Sequence, residues 1–482
     1  MREACGVFGV VAPGRDVAQL TFDGMYALQH RGQESAGMAV SDGQAITVVK
    51  DMGLVTAVFD ERTVACLPGN LAIGHTRYST TGTSEWRNAQ PVFRGSGTAG
   101  FALGHNGNLT NTAELASEAG MLPGVVTSDS DIMSELLARS LDEVPATAAG
   151  LLGGGPLEMA LRAVLPSLQG AFSLVLLDER RVFGVRDPHG LRPLCLGRFG
   201  PAEAPEGWVL ASESPALDIV GATFVRDVAP GELVVIDGDG PRSEVLWPDD
   251  LVRPNLCIFE FVYFARPDSR LYGHEVHGAR RRMGELLATQ RPVEADMVMG
   301  VPESGVPAAE GYARRSGIPY GQGLVKNRYI GRTFITPGQT ARAAGVRRKL
   351  NPLRDNIAGK RIVVVDDSLV RGTTQRAVAA MLREAGAAEV HLRVSSPPLM
   401  WPCFYGIDIP DRDQLVAATR TTDEIAALLG VDSLEYLTIE HLVEAIDAPG
   451  AGFCTACLTG SYPVPVPARR DGASAPASPV GA

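Results

Sequence analysis

The hydrophobic and polar positions of the first 240 residues predict short β-strands separated by turns. A helix is indicated within residues 130–144, where Ile132, Leu136 and Leu137 repeat at helical spacing behind a serine and aspartate cap. We therefore predict a strand-dominated α+β domain over residues 5–240. The apolar, β-branched runs that predict strands are AITVV (45–49), AFSLVLLD (171–178) and GELVVIDG (231–238).

From residue 255 the pattern changes to strands alternating with helices, which is typical of a parallel α/β sheet. This second domain is predicted over residues 255–461. Turn formers and charges in 237–254 mark the boundary. Residues 462–482 are rich in proline, alanine and serine without apolar periodicity, so we predict a disordered tail.

The length and charge of the chain indicate how many domains it has and which kinds of partner it can bind. The 482 residues suffice for two or three domains, with 45% hydrophobic residues, 21% charged residues and a formal net charge of −11. The acidic balance argues against nucleic acid as a partner. Neither a bilayer-spanning apolar run nor a secretory segment is visible, so we expect a cytoplasmic protein without membrane contact.

One positively charged segment stands out in this acidic chain. Three of its lysines, Lys326, Lys349 and Lys360, fall within one stretch that is also rich in arginine. Such a stretch suits a polyanionic small ligand, and a solvated charged loop is the alternative.

The stretch RIVVVDDSLVRGTTQ (361–375) carries the clearest chemistry. A buried parallel strand, 362–365, ends in Asp366 and Asp367, at the edge where open α/β sheets bind ligands. A hydroxyl-rich turn at a helix start follows and offers free N–H groups to a phosphate. The aspartates could hold sugar hydroxyls or share a magnesium ion, and an ordinary acidic helix start is the alternative. The turn residues are Ser368, Arg371, Gly372, Thr373 and Thr374.

This stretch resembles the fingerprint of the type I phosphoribosyltransferases. The resemblance implies that family's fold and its ligand, phosphoribosyl pyrophosphate (PRPP) with Mg²⁺. GVPESG (300–305) looks like the pyrophosphate loop, and KNRYIGRTFI (326–335) looks like a loop that closes over PRPP and excludes water. The implied PRPP-binding residues are Lys326, Tyr329, Arg332, Asp366, Asp367, Ser368, Arg371, Gly372, Thr373 and Thr374. The implied magnesium ligands are Ser304, Asp366 and Asp367.

The first domain carries a second set of motifs. It contains ACGVFGV near the start, LQHRGQESAG, GHTRYSTTG (74–82), GHNGNLTN (104–111) and SDSD (128–131). Together these are similar to the N-terminal-nucleophile glutamine amidotransferases and imply that family's sandwich fold. Carried over, Cys5 is the catalytic nucleophile, Arg77 binds the glutamine carboxylate, and Asp129 binds its amino group. Asn106 and Gly107 form the oxyanion hole.

A terminal cysteine supplies its own base, because a free α-amino group with a pKa near 8 can take the proton of a thiol with a pKa of about 8.5. This chemistry requires removal of residues 1–4 as a propeptide, after which Cys5 is the first residue. Three nearby histidines, His30, His75 and His105, are interpreted as structural because the amine already provides the base.

Four further cysteines lie in the second domain. A CTAC pair with two more thiols allows zinc, redox or cluster chemistry, and the residues alone do not choose among them. They occur in contexts that resemble the iron–sulfur branch of the glutamine PRPP amidotransferases, which implies a structural [4Fe–4S] cluster. The implied cluster ligands are Cys257, Cys403, Cys454 and Cys457.

The combined resemblance implies an enzyme that hydrolyses glutamine and adds the ammonia to C1 of PRPP, the committed step of purine synthesis. It further implies inhibition by purine nucleotides, a homo-oligomer (dimer or tetramer), and coupling of the two sites by closure of residues 326–335. Two alternatives remain: a glutamine amidotransferase with another acceptor, and a PRPP-binding regulator without catalysis.

Overall fold

The computed structural model describes residues 5–78, 84–96, 99–121, 127–143, 154–327, 347–409, 411–448 and 452–467. The strands of the first domain are β1 (Gly6–Val11), β2 (Ser35–Ser41), β3 (Ile46–Met52), β4 (Leu71–Arg77), β5 (Val92–Ser96), β6 (Ala99–Leu109), β7 (Gly170–Leu177), β8 (Val182–Arg186), β9 (Cys195–Phe199), β10 (Gly207–Ala211), β11 (Thr223–Asp227), β12 (Glu232–Asp237) and β13 (Gly240–Val245). Its helices are α1 (Val17–Ala27), α2 (Val55–Val58), α3 (Glu61–Ala65), α4 (Thr112–Glu118), α5 (Asp129–Glu143), α6 (Pro156–Val164) and α7 (Pro215–Ile219).

These strands form two antiparallel sheets. One has the order β11-β9-β10-β1-β4-β2-β3 and the other β13-β12-β8-β7-β6-β5. Successive side chains of β1 point to opposite faces of its sheet, so one set packs against the second sheet and the other against a layer of helices. Val7 packs with Val175 of the second sheet, whereas Phe8 packs outward with Met25 of α1. On the far side of the second sheet, Phe101 packs against α5 and α6. The result is a four-layer sandwich of helices, two sheets and helices.

The second domain is built on a parallel sheet of four strands in the order β17-β20-β21-β22. Its strands are β14 (Leu256–Cys257), β15 (Arg270–Leu271), β16 (His274–Glu275), β17 (Met297–Gly300), β18 (Leu324–Lys326), β19 (Leu350–Pro352), β20 (Arg361–Asp366), β21 (Glu389–Val394), β22 (Ser433–Tyr436) and β23 (Phe453–Cys454). Its helices are α8 (Val276–Gln290), α9 (Val306–Ser316), α10 (Arg354–Ile357), α11 (Thr373–Glu384), α12 (Val416–Thr419), α13 (Thr422–Leu429), α14 (Ile439–Ile446) and α15 (Ala456–Thr459).

Both faces of this parallel sheet are covered. Val363 and Val365 of β20 pack into the cluster that contains α8 and α9, while Ile362 and Val364 pack into the cluster that contains α11. A strand that is buried on both faces reads as a continuous apolar run, which is why IVVV is so clear in the sequence. β17 and β20 are hydrogen-bonded neighbours, so the loops after their carboxyl ends meet at one edge.

The structure corrects two predicted boundaries. The turn at 237–240 is a hairpin, not a linker: β13 pairs with β12, and the sheet therefore continues beyond residue 240 to Val245. The tail is packed over 462–467, where Tyr462 and Val464 are buried and Val464 accepts a hydrogen bond from the Tyr405 hydroxyl at 2.6 Å. Residues 468–482 and the predicted propeptide, 1–4, lie outside the described residues.

Within the described ranges, none of the helices is both long and apolar enough to span a membrane.

Candidate active sites

Cys5 lies directly before β1, with 7% of its surface exposed. Its Sγ atom is 3.5 Å from both the backbone nitrogen and the carbonyl oxygen of Tyr78. Burial raises the pKa of the Cys5 thiol, although the backbone of Tyr78 and the charge of Arg77 act in the opposite direction. The thiol is therefore protonated near neutral pH and needs a base before it can act as a nucleophile.

Two charged residues predicted to bind glutamine contribute to the electrostatic surroundings of this thiol. Arg77 ends β4 and is 3% exposed, with its Nη1 atom 3.7 Å from Oε2 of Glu34. Asp129 opens α5 and accepts hydrogen bonds from the backbone N–H groups of Leu109 (3.2 Å) and Ser130 (2.8 Å). The structure thus brings a buried cation and a buried anion to the surroundings of the thiol.

The electrostatics of Asp129 favour its charged form. Burial alone would raise the pKa of this carboxyl, but His105, whose Nδ1 atom lies 3.6 Å from Oδ2, and the two backbone donors outweigh burial, so the pKa is lowered. A carboxylate held in this state suits an ammonium group.

Asn106 and Gly107 lie next to each other on β6. Asn106 is completely buried, and neither Nδ2 nor Oδ1 of its carboxamide has a hydrogen-bond partner among the described residues. A buried amide without hydrogen bonds lowers the stability of the folded state unless a ligand supplies the missing partners. Gly107 has φ +153°, and a Cβ atom there would come within 1.9 Å of the Ala171 carbonyl oxygen. Only glycine fits this position.

The three histidines near these motifs are hydrogen bonded, as a structural role requires. His30 contacts the Ala27 carbonyl oxygen and Glu213, and Nε2 of His75 contacts the carbonyl oxygen of His105 at 2.9 Å. Nδ1 of His105 is 3.2 Å from the Ser130 hydroxyl oxygen.

The predicted phosphate site lies at the carboxyl end of β20. Asp366, Asp367 and Ser368 are buried there. Nε2 of Gln375 donates to Oδ2 of Asp366 at 2.8 Å and to the Ser368 carbonyl oxygen at 3.1 Å. Gln375 was not predicted, although its position in the first turn of α11, directly behind the turn, would have been the signal. The turn closes on Gly372, whose φ of +75° permits the sharp entry into α11.

The pyrophosphate-like loop meets this turn. The Ser304 hydroxyl donates a hydrogen bond to Asp367, and the Val301 N–H donates to the Val365 carbonyl oxygen at 2.9 Å. A Cβ atom on Gly305 would lie 2.4 Å from that same oxygen, so the approach requires glycine. Burial, reinforced by the neighbouring carboxylate of Asp367, raises the pKa of Asp366.

The structure describes only some of the remaining residues predicted to bind PRPP. Lys326 ends β18 with its Nζ atom 3.3 Å from Oε2 of Glu303, in the same loop as Ser304. Tyr329 and Arg332 lie outside the described residues, as does most of the predicted closing loop. The other positions lie at or just before the start of α11, where Thr373 and Thr374 are exposed, and Arg371 donates to Oε1 of Gln414 at 2.6 Å.

Comparison with known proteins identifies both domains and the family to which the whole chain belongs. The model of the glutamine amidotransferase domain matches residues 75–218, and that of the phosphoribosyl transferase domain matches residues 275–396. The amidophosphoribosyltransferase of Mycobacterium tuberculosis is 54% identical over 479 residues, covering 97% of this chain and 87% of that protein. The Synechococcus elongatus relative of the same name is 51% identical and covers 96% and 92%. The chain belongs to the amidophosphoribosyltransferase family.

A solved structure of an amidophosphoribosyltransferase supports the same conclusion. Glutamine PRPP amidotransferase from Bacillus subtilis, complexed with ADP and GMP, is 42% identical, has a TM-score of 0.86, and covers 97% of this chain and 98% of that one. The predicted fold, a nucleophile-hydrolase sandwich followed by a phosphoribosyltransferase domain, is confirmed. The predicted reaction, glutamine-dependent amidophosphoribosyl transfer, is confirmed over its two alternatives.

The four cysteines predicted to bind a cluster lie in one region of the second domain. β14 and β23 pair in parallel so that Cys257 stands opposite Cys454. The electrostatic neighbours of the Cys457 thiol are Cys257, Cys403 and Cys454. Burial raises the pKa of Cys257, Cys454 and Cys457. Among the described residues, no three His, Cys, Asp or Glu side chains lie close enough to share one metal ion.

A buried ion-pair network between the two domains was not predicted. Arg31, 1% exposed, donates from Nη2 to Oε1 of Glu260 at 2.8 Å and from Nη1 to Glu213. Nη1 of Arg192 lies 3.3 Å from the same Glu260 atom, and its Nε donates to the Tyr405 carbonyl oxygen at 3.0 Å. Glu260 stands in a π-helical turn, Glu260–Phe264, so the second domain provides the carboxylate on which two arginines of the first converge.

Proposed function

We propose that Cys5, made the first residue by removal of residues 1–4, attacks the side-chain amide carbon of glutamine. The α-amino group takes the thiol proton and passes it to the amide nitrogen. The C–N bond then breaks, ammonia leaves, and a γ-glutamyl thioester remains on sulfur. Water adds to the thioester, and loss of the thiolate, reprotonated by the amine, releases glutamate.

Substrate binding and charge stabilisation follow from the groups around the thiol. Arg77 pairs with the glutamine carboxylate through its planar fork, and Asp129 pairs with the ammonium group. The carboxamide of Asn106 and the N–H of Gly107 stabilise the tetrahedral oxyanion, each contributing about 2.7–4 kcal/mol to the transition state. The observation that carries this proposal is the fully buried carboxamide of Asn106, which has no hydrogen-bond partner in the part of the chain that the structure describes.

In the second domain, we propose that PRPP binds across the loop of Ser304 and the turn that starts at Asp366. The α11 N-terminus and Arg371 take the 5-phosphate, while Lys326, Tyr329 and Arg332 close over the pyrophosphate. The ammonia lone pair forms a bond to C1 as the C1–O bond to pyrophosphate breaks with its electron pair. Loss of one proton from nitrogen leaves 5-phosphoribosylamine.

The residues at this edge suit magnesium. Asp366 and Asp367 supply carboxylate oxygens, the Ser304 hydroxyl lies against Asp367, and hard cations prefer such oxygens. The ion would neutralise charge on the departing pyrophosphate. Burial and the neighbouring carboxylate of Asp367 raise the pKa of Asp366, and a bound cation would favour its charged form.

For the four cysteines we propose a structural [4Fe–4S] cluster bound by Cys257, Cys403, Cys454 and Cys457. The donor set is four thiols without a carboxylate, and three of the thiols are buried. Four thiolates would also suit zinc, and the choice of the cluster rests on the sequence contexts of these cysteines, which resemble those of the iron–sulfur branch.

Purine nucleotides are the inhibitors we propose, bound in the PRPP pocket and beside it, in a homo-oligomer of two or four chains. The ADP and GMP in the B. subtilis structure support the choice of nucleotide class.

The test uses Cys5→Ser with Cys66→Ser, an exposed cysteine, as the matched control. We measure glutamate from glutamine, and pyrophosphate from PRPP and Mg²⁺ with either glutamine or ammonium. Cys5→Ser should lose both glutamine-dependent signals and keep the ammonium-dependent one, while Cys66→Ser keeps all three. Glutaminase activity in Cys5→Ser, or an intact mass of active enzyme that includes residues 1–4, would contradict the proposal.

A further inference from the structure

A short segment of the second domain lies against the oxyanion strand of the first. The Phe404 carbonyl oxygen accepts a hydrogen bond from Nδ2 of Asn108 at 2.9 Å. The next carbonyl, of Tyr405, accepts two from Arg192, at 3.0 Å from Nε and 2.6 Å from Nη2. The third residue, Gly406, touches Gly107 itself: a Cβ atom on Gly406 would lie 2.9 Å from both the carbonyl carbon and the oxygen of Gly107.

The contact between Gly406 and Gly107 is backbone against backbone. Gly406 has φ +93° and Gly107 has φ +153°, so both peptides adopt conformations that other residues rarely adopt. Glycine adopts such conformations without a steric penalty, so the two backbones can approach closely. The backbone of Gly107 is in contact with Gly406, and a Cβ atom on Gly107 would meet the Ala171 carbonyl oxygen.

The segment is itself rigidly held. Tyr405 is 2% exposed, and its hydroxyl donates to the Val464 carbonyl oxygen at 2.6 Å and accepts from the Val464 N–H at 3.1 Å. Its backbone nitrogen lies 3.4 Å from Sγ of Cys403. A firmly anchored segment can fix the position of whatever it touches.

We propose that residues 404–406 of the second domain are a positioning element for the oxyanion hole: by contacting the Cα and carbonyl group of Gly107 they fix its backbone, so that the adjoining N–H can meet the developing oxyanion. The glutaminase site is thus incomplete without the phosphoribosyltransferase domain. This inference rests on the proposed role of Gly107. Displacement of an oxyanion donor by a fraction of an ångström weakens transition-state binding more than substrate binding, so kcat should fall while KM stays.

The principal test is Gly406→Ala in the full-length protein. Gly317→Ala is the matched control, because Gly317 has φ +75° but nothing within 4 Å of an added Cβ atom, so it shares the backbone strain without the contact. We expect Gly406→Ala to lower the glutaminase kcat by about tenfold to 100-fold, with KM for glutamine within about twofold. Pyrophosphate release with ammonium and the rate of Cys5 alkylation by iodoacetamide should match the control.

A second variant guards against a folding failure. Asn108→Ala removes the donor to Phe404 without adding an atom and should lower the glutaminase kcat by about threefold or more with the same KM pattern. The inference is overturned if the folded variants keep the kcat of the control, or if kcat, ammonium-dependent activity and thermal stability fall together. Asn106→Ala separates the two proposals: if it leaves kcat intact, the oxyanion hole itself is misplaced, whatever Gly406→Ala does.

Discussion

The carbonyl oxygen of Cys5 accepts a hydrogen bond from Nε of Arg31 at 3.0 Å. The same guanidinium pairs with Glu213 and with Glu260 of the second domain. The backbone of the proposed nucleophile is therefore tied, through one buried arginine, to the domain that uses its product.

Removal of this arginine should destabilise the protein. Arg31→Gln removes the guanidinium that Glu213 and Glu260 share, so that Glu260 keeps only its longer contact with Arg192 and Glu213 its hydrogen bond with His30 among the contacts described above; breaking a buried pair costs about 3–5 kcal/mol. Arg15→Gln is the control, because its pair with Glu206 is 39% and 58% exposed and is worth about 1 kcal/mol or less. Urea unfolding would measure the loss of stability in both variants. Equal midpoints for the two variants would refute the importance of the network.

Asn106→Ala should separate catalysis from stability. No described hydrogen bond is lost with this carboxamide, so the free energy of unfolding should fall by less than for a bonded buried asparagine. The glutaminase kcat should fall by about 100-fold to 1,000-fold, because one oxyanion donor disappears. Steady-state assays with glutamine and with ammonium, on the same sample, make the comparison. A parallel loss with ammonium would argue against the oxyanion role.

Stability should decline with acid through His75. Burial lowers the pKa of His75 to about 3, so the folded state leaves it neutral while the unfolded state, with a pKa of about 6.5, takes up a proton. Its contribution is therefore constant above pH 6.5 and declines by about 1.4 kcal/mol per pH unit between pH 6.5 and 3. His75→Gln keeps an N–H for the His105 carbonyl and should flatten this slope.

Urea midpoints measured between pH 7 and 4 test the prediction. His277→Gln provides the control, because that side chain is 42% exposed. An unchanged pH slope in His75→Gln would show that other groups cause the acid sensitivity.

Asp367→Asn should abolish PRPP turnover and spare glutamine hydrolysis. The substitution removes the charge of one of two adjacent carboxylates and one of the two oxygens that accept from Ser304 and Ser368, and we expect pyrophosphate release to fall by at least about 100-fold. The control is Asp355→Asn, an exposed position at the start of α10. Calorimetric titration with PRPP and Mg²⁺ reports binding directly; wild-type affinity in Asp367→Asn would remove this residue from the site.

Iron content distinguishes the cysteines. Cys454→Ser should lose iron, brown colour and folding stability together, because Cys454 pairs in register with Cys257. Cys66→Ser should change none of these, because Cys66 is exposed. Stoichiometric zinc in place of iron in the wild-type protein, purified without oxygen, would reject the cluster.

Sequence reasoning recovered the parts of the molecule that depend on local pattern. The run at 362–365 is apolar because both faces of β20 are covered, and the acidic pair follows where such a strand must end. The turn at 237–240 was misread because the same aspartates and glycines that favour a linker also favour a hairpin.

Contacts between residues far apart in the sequence could not be predicted, because no local sequence pattern marks them. Arg31 looks like any arginine in a motif, and nothing near it in the sequence points to Glu260. Gly406 reads as an ordinary loop glycine, although its partner is Gly107 in another domain. Tyr462 and Val464 sit in a proline-rich stretch whose burial depends on Pro402 and Tyr405, which no periodicity reveals.

The pairing of β14 with β23 also sets an order of events during synthesis. Cys257 is synthesised almost 200 residues before its pairing partner Cys454, and the ladder between them can form only after residue 454 has been made. The sandwich has every one of its strands by Val245 and needs no later segment for its hydrogen-bonded ladders. A translation product that stops between Val245 and Phe453 can thus close both large sheets yet lack the thiol site, so the presence of that site reports that synthesis has passed residue 454.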